Sequence, residues 1–219
     1  MSYLTWNEKT ISDFSEKNVS DLYDAGYVFT RAGKGVMNQT RSVRIDLKRF
    51  ETSSENRRIL KKVEEILLSE QPIPYTEYHW SIGKRAHDFY ATKFGPGTFS
   101  AIKAKELLTD PEKSNFNFLL QYSNSSETIG HVISYLNSKI LHYSYPFYDL
   151  EKSPKDMGLG MMTKAIVYAK EKGLEYVYLG SLQRPTDTYK LQFEGLEWFD
   201  GTEWQSDVEK AKMILNDLK

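Results

Sequence analysis

The sequence predicts an α+β fold: a mixed, mostly antiparallel central sheet flanked by helices, with a basic N-terminal arm. Two stretches carry that prediction. The first is a meander. Strand-like segments at 115–122, 128–137 and 140–148 follow one another, joined by Ser123-Asn124-Ser125-Ser126 and Asn137-Ser138, which favour turns. The second is a strand–helix–strand unit over 143–193. Its helix shows apolar residues at Met161, Ala165, Ile166, Tyr168 and Ala169, a helical period. Gly173 stops that helix, with Lys170 and Lys172 in its last turn. Tyr176 to Gly180 then reads as a buried strand, followed by a tight Tyr189-Lys190 turn.

The remaining elements fall around these two. Residues 1–12 read as an extended lead-in, and Asn18 to Asp24 as a short helix stopped by Gly26. Tyr27-Val28-Phe29 reads as a strand, and 31–41 as a flexible basic loop with two glycines. Ser42 to Leu47 alternates, with Val43, Ile45 and Leu47 on one face. Ser53 or Ser54 caps a helix carrying Ile59, Leu60, Val63, Ile66 and Leu67 inward. Pro72 and Pro74 mark a connection, after which 77–94 and 98–108 read as helices. Near the end come a hairpin at 197–204 with an Asp-Gly turn and an amphipathic helix at 207–218. The expected division is a basic module at 1–72 and a larger domain at 73–219, the catalytic one under the resemblance given below.

Composition excludes several function classes. There is no cysteine, hence no disulfide framework, thiolate metal site or cysteine nucleophile. The four histidines, His79, His87, His131 and His142, show no metal-ligand spacing, so no metal is expected. No apolar run approaches the ~18 residues a membrane span needs. The N-terminal MSYLTWNEKT lacks the order of a signal peptide. A cytoplasmic monomer without membrane contact is the expectation. The net charge of −1 hides an asymmetry. Between Arg31 and Lys62 lie ten cations against three carboxylates, a net +7. A solvated helix face accounts for such a block somewhat better than a polyanionic ligand does on charge alone. Lys155-Asp156-Met157-Gly158-Leu159-Gly160 opens the central helix, where free backbone N–H groups suit a phosphate.

This element order is that of a GNAT-type acyltransferase, and Lys155-x-x-Gly158-x-Gly160 is compatible with that family's pyrophosphate loop. A more specific resemblance spans most of the chain. Tyr145-Pro146-Phe147-Tyr148-Asp149, Leu159-Gly160, Ala169 through Gly173 to Tyr176-Val177-Tyr178-Leu179-Gly180, and Tyr189-Lys190-Leu191-Gln192-Phe193 resemble the arginyl-tRNA–protein transferase family. That family includes bacterial leucyl-tRNA–protein transferases acting on acidic N-termini. Ala25-Gly26, Arg31, Arg44-Ile45, Phe50, Ser53, Arg57-Arg58 and 89–94 are similar to its N-terminal part. Where the family carries cysteines that can hold a metal or an iron–sulfur cluster, this chain has Lys34, Met37 and Thr40. Residues 181–187 also depart from the family's more aromatic stretch.

The resemblance implies transfer of an amino acid, Arg or Leu, from charged tRNA to the α-amine of a protein N-terminus, with aminoacyl-tRNA as co-substrate and no cofactor. The ester is already activated, so positioning and a home for the developing oxyanion are the main needs. Tyr189, Lys190 and Tyr148 are then the catalytic candidates, with core packing the alternative for the two tyrosines. Lys190 is expected on an exposed turn, contributing little to stability. Arg57, Arg58, Lys61, Lys155, Gly158 and Gly160 are the candidates for tRNA phosphates, and Arg31 and Arg44 for an acidic acceptor. Two other readings stay open: a CoA-dependent N-acyltransferase using acetyl-CoA, resting on the glycine loop, and a non-catalytic RNA- or peptide-binding relative, resting on the basic block.

Overall fold

The computed structural model describes residues 4–217, which leaves the first three residues of the expected lead-in and the last two of the chain outside the described residues. Strand β1 (Asn7–Thr10) and helix α1 (Glu16–Asp24) precede strands β2 (Tyr27–Phe29), β3 (Val36–Gln39) and β4 (Ser42–Asp46). Helix α2 (Ser54–Lys62), strand β5 (Leu67–Pro72) and helices α3 (Trp80–Phe94) and α4 (Ala101–Thr109) follow. The meander is β6 (Phe118–Ser123), β7 (Thr128–Leu136) and β8 (Ile140–Tyr148). Helix α5 (Met157–Glu171) crosses to β9 (Tyr176–Ser181), and a 3-10 helix (Pro185–Gln192) leads to β10 (Leu196–Phe199), β11 (Trp204–Gln205) and α6 (Val208–Asn216).

Local chemistry sets the helix boundaries. Ser15, Ser100 and Asp207 accept backbone N–H groups at the starts of α1, α4 and α6. At α2, Ser53 and Asn56 exchange reciprocal bonds, satisfying two orphan donors together. One eight-stranded sheet runs β11-β10-β4-β9-β8-β7-β6-β5, and a three-stranded sheet runs β1-β3-β2. Every pairing is antiparallel except β8 with β9. One face of the large sheet buries Met157, Met161, Met162, Ala165, Ile166 and Ala169 of α5, with Ala211 and Leu215 of α6. The other face packs residues of α1, α3, α4 and the small sheet, including Tyr23, Phe89, Tyr90 and Leu107. The expected α+β fold is present.

The structure corrects several expectations. The basic loop 31–41 contains β3, paired with both β1 and β2. Residues 67–72, read as a helix end and a proline connection, form edge strand β5 against β6, so Leu67 is exposed and not in the core. The Tyr189-Lys190 turn is part of the 3-10 helix. Within the large sheet, β4 lies between β9 and β10, and β5 continues the meander. The basic block is dispersed as well, since Arg44 is interior while Arg57, Arg58 and Lys61 lie on α2.

Two irregularities shape the centre of the sheet. Ser134 pairs with Tyr143 and Ile133 with Tyr145, so Ser144 is an extra residue, a β-bulge in β8. The parallel ladder between β8 and β9 has only the pairs Ile140–Tyr176, Leu141–Val177 and His142–Tyr178. Beyond it, β8 stays with β7 as far as Gly130–Tyr148, while β9 stays with β4 as far as Ser42–Ser181. The two strands part, and the sheet opens between them.

Candidate functional site

Tyr148 ends β8 beside the start of α5. Its ring packs on Phe89 at 4.8 Å, and its hydroxyl meets the backbone of Gly158. A Cβ on Gly158 would lie 3.4 Å from that ring, in ordinary van der Waals contact. On the other side of the opening, Tyr189 projects from the 3-10 helix, 44% exposed. Its neighbour Lys190 turns inward. Far from sitting on an exposed turn, Lys190 is 7% exposed, donates to the Ser181 carbonyl at 2.7 Å and lies 3.6 Å from Asp187. Gly180 has φ +77°, a conformation glycine adopts without strain, and it lets β9 end over that ammonium.

Arg31 reaches the rim of the same region. It donates to the Thr98 carbonyl and lies 4.8 Å over Phe99 and 5.6 Å from Tyr145. Phe99 meets Tyr90 at 4.8 Å, Tyr90 meets Phe94 at 5.4 Å, and Arg184 lies 4.6 Å over Phe94. A row of three rings thus carries a guanidinium at each end. Burial pushes the Tyr90 phenol well up, against the pull of Arg31 and Arg184. Sequence reasoning missed Arg184 and Tyr90. Arg184 stands in the segment that departs from the resembled family, so no motif pointed to it.

Arg44 is placed otherwise than expected. Its guanidinium is sandwiched between the rings of Tyr176 and Trp204, each 4.0 Å away. It donates to Glu197 at 2.8 Å, to Asp24 at 2.9 Å and to the Tyr178 hydroxyl at 3.3 Å. It ties α1, β9, β10 and β11 to β4 and is removed from the opening, so an acidic acceptor would have to displace two carboxylates to use it.

The phosphate candidates gather where α2 packs on α5. A Cβ on Gly160 would stand 2.6 Å from Val63 Cγ1, so this glycine serves helix packing. Lys62 pairs with Asp156 and holds its carboxyl below the usual range, with Lys155 and Arg58 adding smaller pulls. Lys61 and Lys155 are exposed, Arg58 pairs with Glu55, and Arg57 turns back to the Thr52 carbonyl. A cavity of about 450 Å³ lies here, lined in part by Lys61, Lys62, Lys152 and Ser153. The start of α5 is less open than the sequence suggests: the Met157 N–H reaches the Pro154 carbonyl at 3.2 Å and the Gly158 backbone meets Tyr148. The Met157 and Gly158 N–H groups, two of the four at the helix start, are engaged within the protein. Among the described residues, no group of three or more His, Cys, Asp or Glu is placed to hold a metal ion. No helix among them is long and apolar enough to cross a membrane.

A parted pair of central strands, a buried lysine and an arginine-flanked aromatic row thus lie side by side. The chain is similar to aspartate/glutamate leucyltransferases. It is 27% identical over 179 residues to that of Dinoroseobacter shibae and 24% identical over 167 residues to that of Ruegeria pomeroyi. Each match covers 75% of this chain and 61% of the relative, so the chain spans about three fifths of the length of these curated relatives. No protein-family model matches. Among solved structures, L-PGS from Bacillus licheniformis aligns at TM-score 0.49 and 12% identity, covering 93% of this chain and 70% of that one. A GCN5-related glucosamine N-acetyltransferase region of a fungal multi-domain GH3 β-N-acetylglucosaminidase aligns at TM-score 0.49 and 9% identity, covering 87% of this chain and 22% of that one.

Proposed function

We propose that this chain is an aminoacyl-tRNA–protein transferase that moves leucine from charged tRNA to the α-amine of a protein beginning with Asp or Glu. The observation that carries the reading is the similarity to aspartate/glutamate leucyltransferases over 75% of the chain. It favours leucine over the arginine that the sequence resemblance leaves equally open.

The chemistry asks little of the protein beyond placement. An α-amine has an ordinary pKa of about 7.7–8.0, so a fair share is neutral near pH 7.5. Its lone pair attacks the ester carbonyl, and collapse of the tetrahedral intermediate expels the ribose hydroxyl of the tRNA. The β8/β9 opening is where the ester would lie, with Tyr148 and Tyr189 on its two sides and Lys190 beneath the 3-10 helix. Arg31 and Arg184 supply the positive charge that an Asp or Glu side chain of the acceptor needs. Arg58, Lys61 and Lys155 face the tRNA backbone. Aminoacyl-tRNA is the co-substrate, and an activated ester needs no further cofactor. A CoA reading is less well served, because the first turn of α5 is partly engaged and carries the Asp156 carboxylate.

The test is direct. The protein is incubated with pooled charged tRNAs and peptides beginning Asp, Glu, Lys and Ala, and the products are weighed. Leucine added to the Asp and Glu peptides is the expected result. Addition of arginine corrects the donor, and acetyl-CoA turnover without transfer overturns the reading. In the same preparation, changing Arg58 and Lys61 to Ala is expected to weaken tRNA binding and to lower its salt slope by about 0.7–0.9 per lost phosphate contact. An unchanged slope removes this face from the tRNA path.

A further inference from the structure

Tyr143 is the first residue of β8 beyond the parallel ladder. It is 2% exposed, and its hydroxyl has no hydrogen-bond partner among the described residues. A buried unpaired O–H is unfavourable, and phenylalanine would fill nearly the same volume without it. Neighbouring buried tyrosines do not share this condition. The Tyr122 hydroxyl donates to the Met161 carbonyl at 2.9 Å, Tyr23 meets His142 Nδ1 at 2.9 Å, and Tyr178 meets Arg44. The bulge at Ser144 sets the direction of Tyr143. Residues two apart on a strand normally share a face, yet Tyr143 lies in the core on the α5 side while Tyr145 packs on the opposite side. The bulge thus sends one tyrosine to each side where the strands part. Tyr143 is also close enough to Tyr148 and Tyr189, the two flanks of the opening, to feel both.

We propose, resting on the leucyl-transfer reading, that the Tyr143 hydroxyl is a catalytic donor to the carbonyl oxygen of the aminoacyl ester, reached when the 3-10 helix Pro185–Gln192 moves off the β8/β9 opening. At eight residues this helix exceeds the three or four that 3-10 geometry usually sustains, and its displacement breaks the Lys190–Ser181 hydrogen bond and uncovers Leu191. As the α-amine nitrogen forms its bond to the carbonyl carbon, the oxygen becomes an oxyanion and the Tyr143 O–H shortens its hydrogen bond to it. The carbonyl then re-forms, the carbon–oxygen bond to the ribose breaks with its electron pair leaving on the ribose oxygen, and a proton from the attacking nitrogen, cationic in the intermediate, goes to that oxygen. Tyr143 ends as it began, protonated; burial pushes its phenol well up, which keeps it a donor throughout.

Tyr143→Phe tests this. Transfer of leucine to an Asp-initiated peptide and the thermal midpoint are measured on the full chain, wild type and variant. The expected result is a kcat lowered about 100-fold, as for loss of one oxyanion donor, with KM changed by less than about twofold and the midpoint unchanged or raised. A variant with undiminished kcat overturns the assignment. A midpoint lowered by several degrees, about 4 °C or more, also overturns it, because the hydroxyl then has a structural partner. A wild-type protein that transfers nothing overturns the functional reading and the assignment together, whereas an active wild type with an equally active variant overturns the assignment alone.

Discussion

A buried ammonium must keep its hydrogen bonds, and Lys190 keeps them with Ser181 and Asp187. It therefore belongs to the fold, whatever it does in the proposed site. Lys190→Met retains the stem and removes the charge, leaving the Asp187 carboxylate without its cation. The expected cost is about 1–3 kcal/mol in urea unfolding. A midpoint equal to wild type would mean that the lysine is free to serve substrate alone, as the sequence suggests. Sequence could not settle this, because Pro185, Thr186 and Asp187 look like the start of an exposed turn. What buries Lys190 is the way β9 ends over it, and that depends on β4, which lies far away in sequence. Arg44 gives the same lesson from the other side. An arginine in a basic stretch reads as available, and only the fold shows the two rings and two carboxylates that hold it.

The packing of α2 on α5 makes a sharper claim about glycine. Gly160→Ala places a methyl 2.6 Å from Val63 Cγ1, so α2 must shift or the helices must separate. The expected destabilisation is about 1–3 kcal/mol. Val63→Ala in the same chain should recover part of it, because the two changes share one contact. Additive losses in the double variant would show that the steric conflict lies elsewhere. This glycine was legible as a position of note, but the loop motif gave it a phosphate role that the packing explains without one. The meander and the strand–helix–strand unit were legible because their patterns are local. β3 and β5 were not. Val36-Met37-Asn38-Gln39 does not alternate, and Leu67 to Pro72 is an exposed edge ending in proline, so only pairing with β6 makes it a strand. Tyr148, Tyr189 and Lys190 were singled out because a motif names them. Tyr143 was not, because a bulge and an absent hydrogen bond are encoded by no sequence pattern.

Two buried histidines contribute to the acid response of the molecule. His131 and His142 sit on β7 and β8, and burial drives both down to about 3, with Arg85 adding to the first and Lys190 to the second. A depressed histidine means that the unfolded chain takes up, near pH 6.5, a proton that the folded chain refuses. Stability is therefore full above about 6.5 and falls as pH drops towards 3, by about 1.4 kcal/mol per pH unit for each histidine. Urea midpoints between about pH 7 and pH 4.5 should show this slope, and His131→Phe, which keeps the stacking on Phe147, should remove about half of it. A slope untouched by the substitution would place the proton uptake elsewhere. The strand order has a further consequence, for the chain as it leaves the ribosome. β6, β7 and β8 can pair as they emerge, but β4 cannot: Asp46 pairs with Tyr176, 130 residues downstream. At roughly 5–20 residues per second, β4 stays unpaired for on the order of ten seconds while the meander sets. Both β4 and β8 wait for β9, and β4 waits for β10 as well, so the opening between β8 and β9 is among the last features of the nascent protein to take shape.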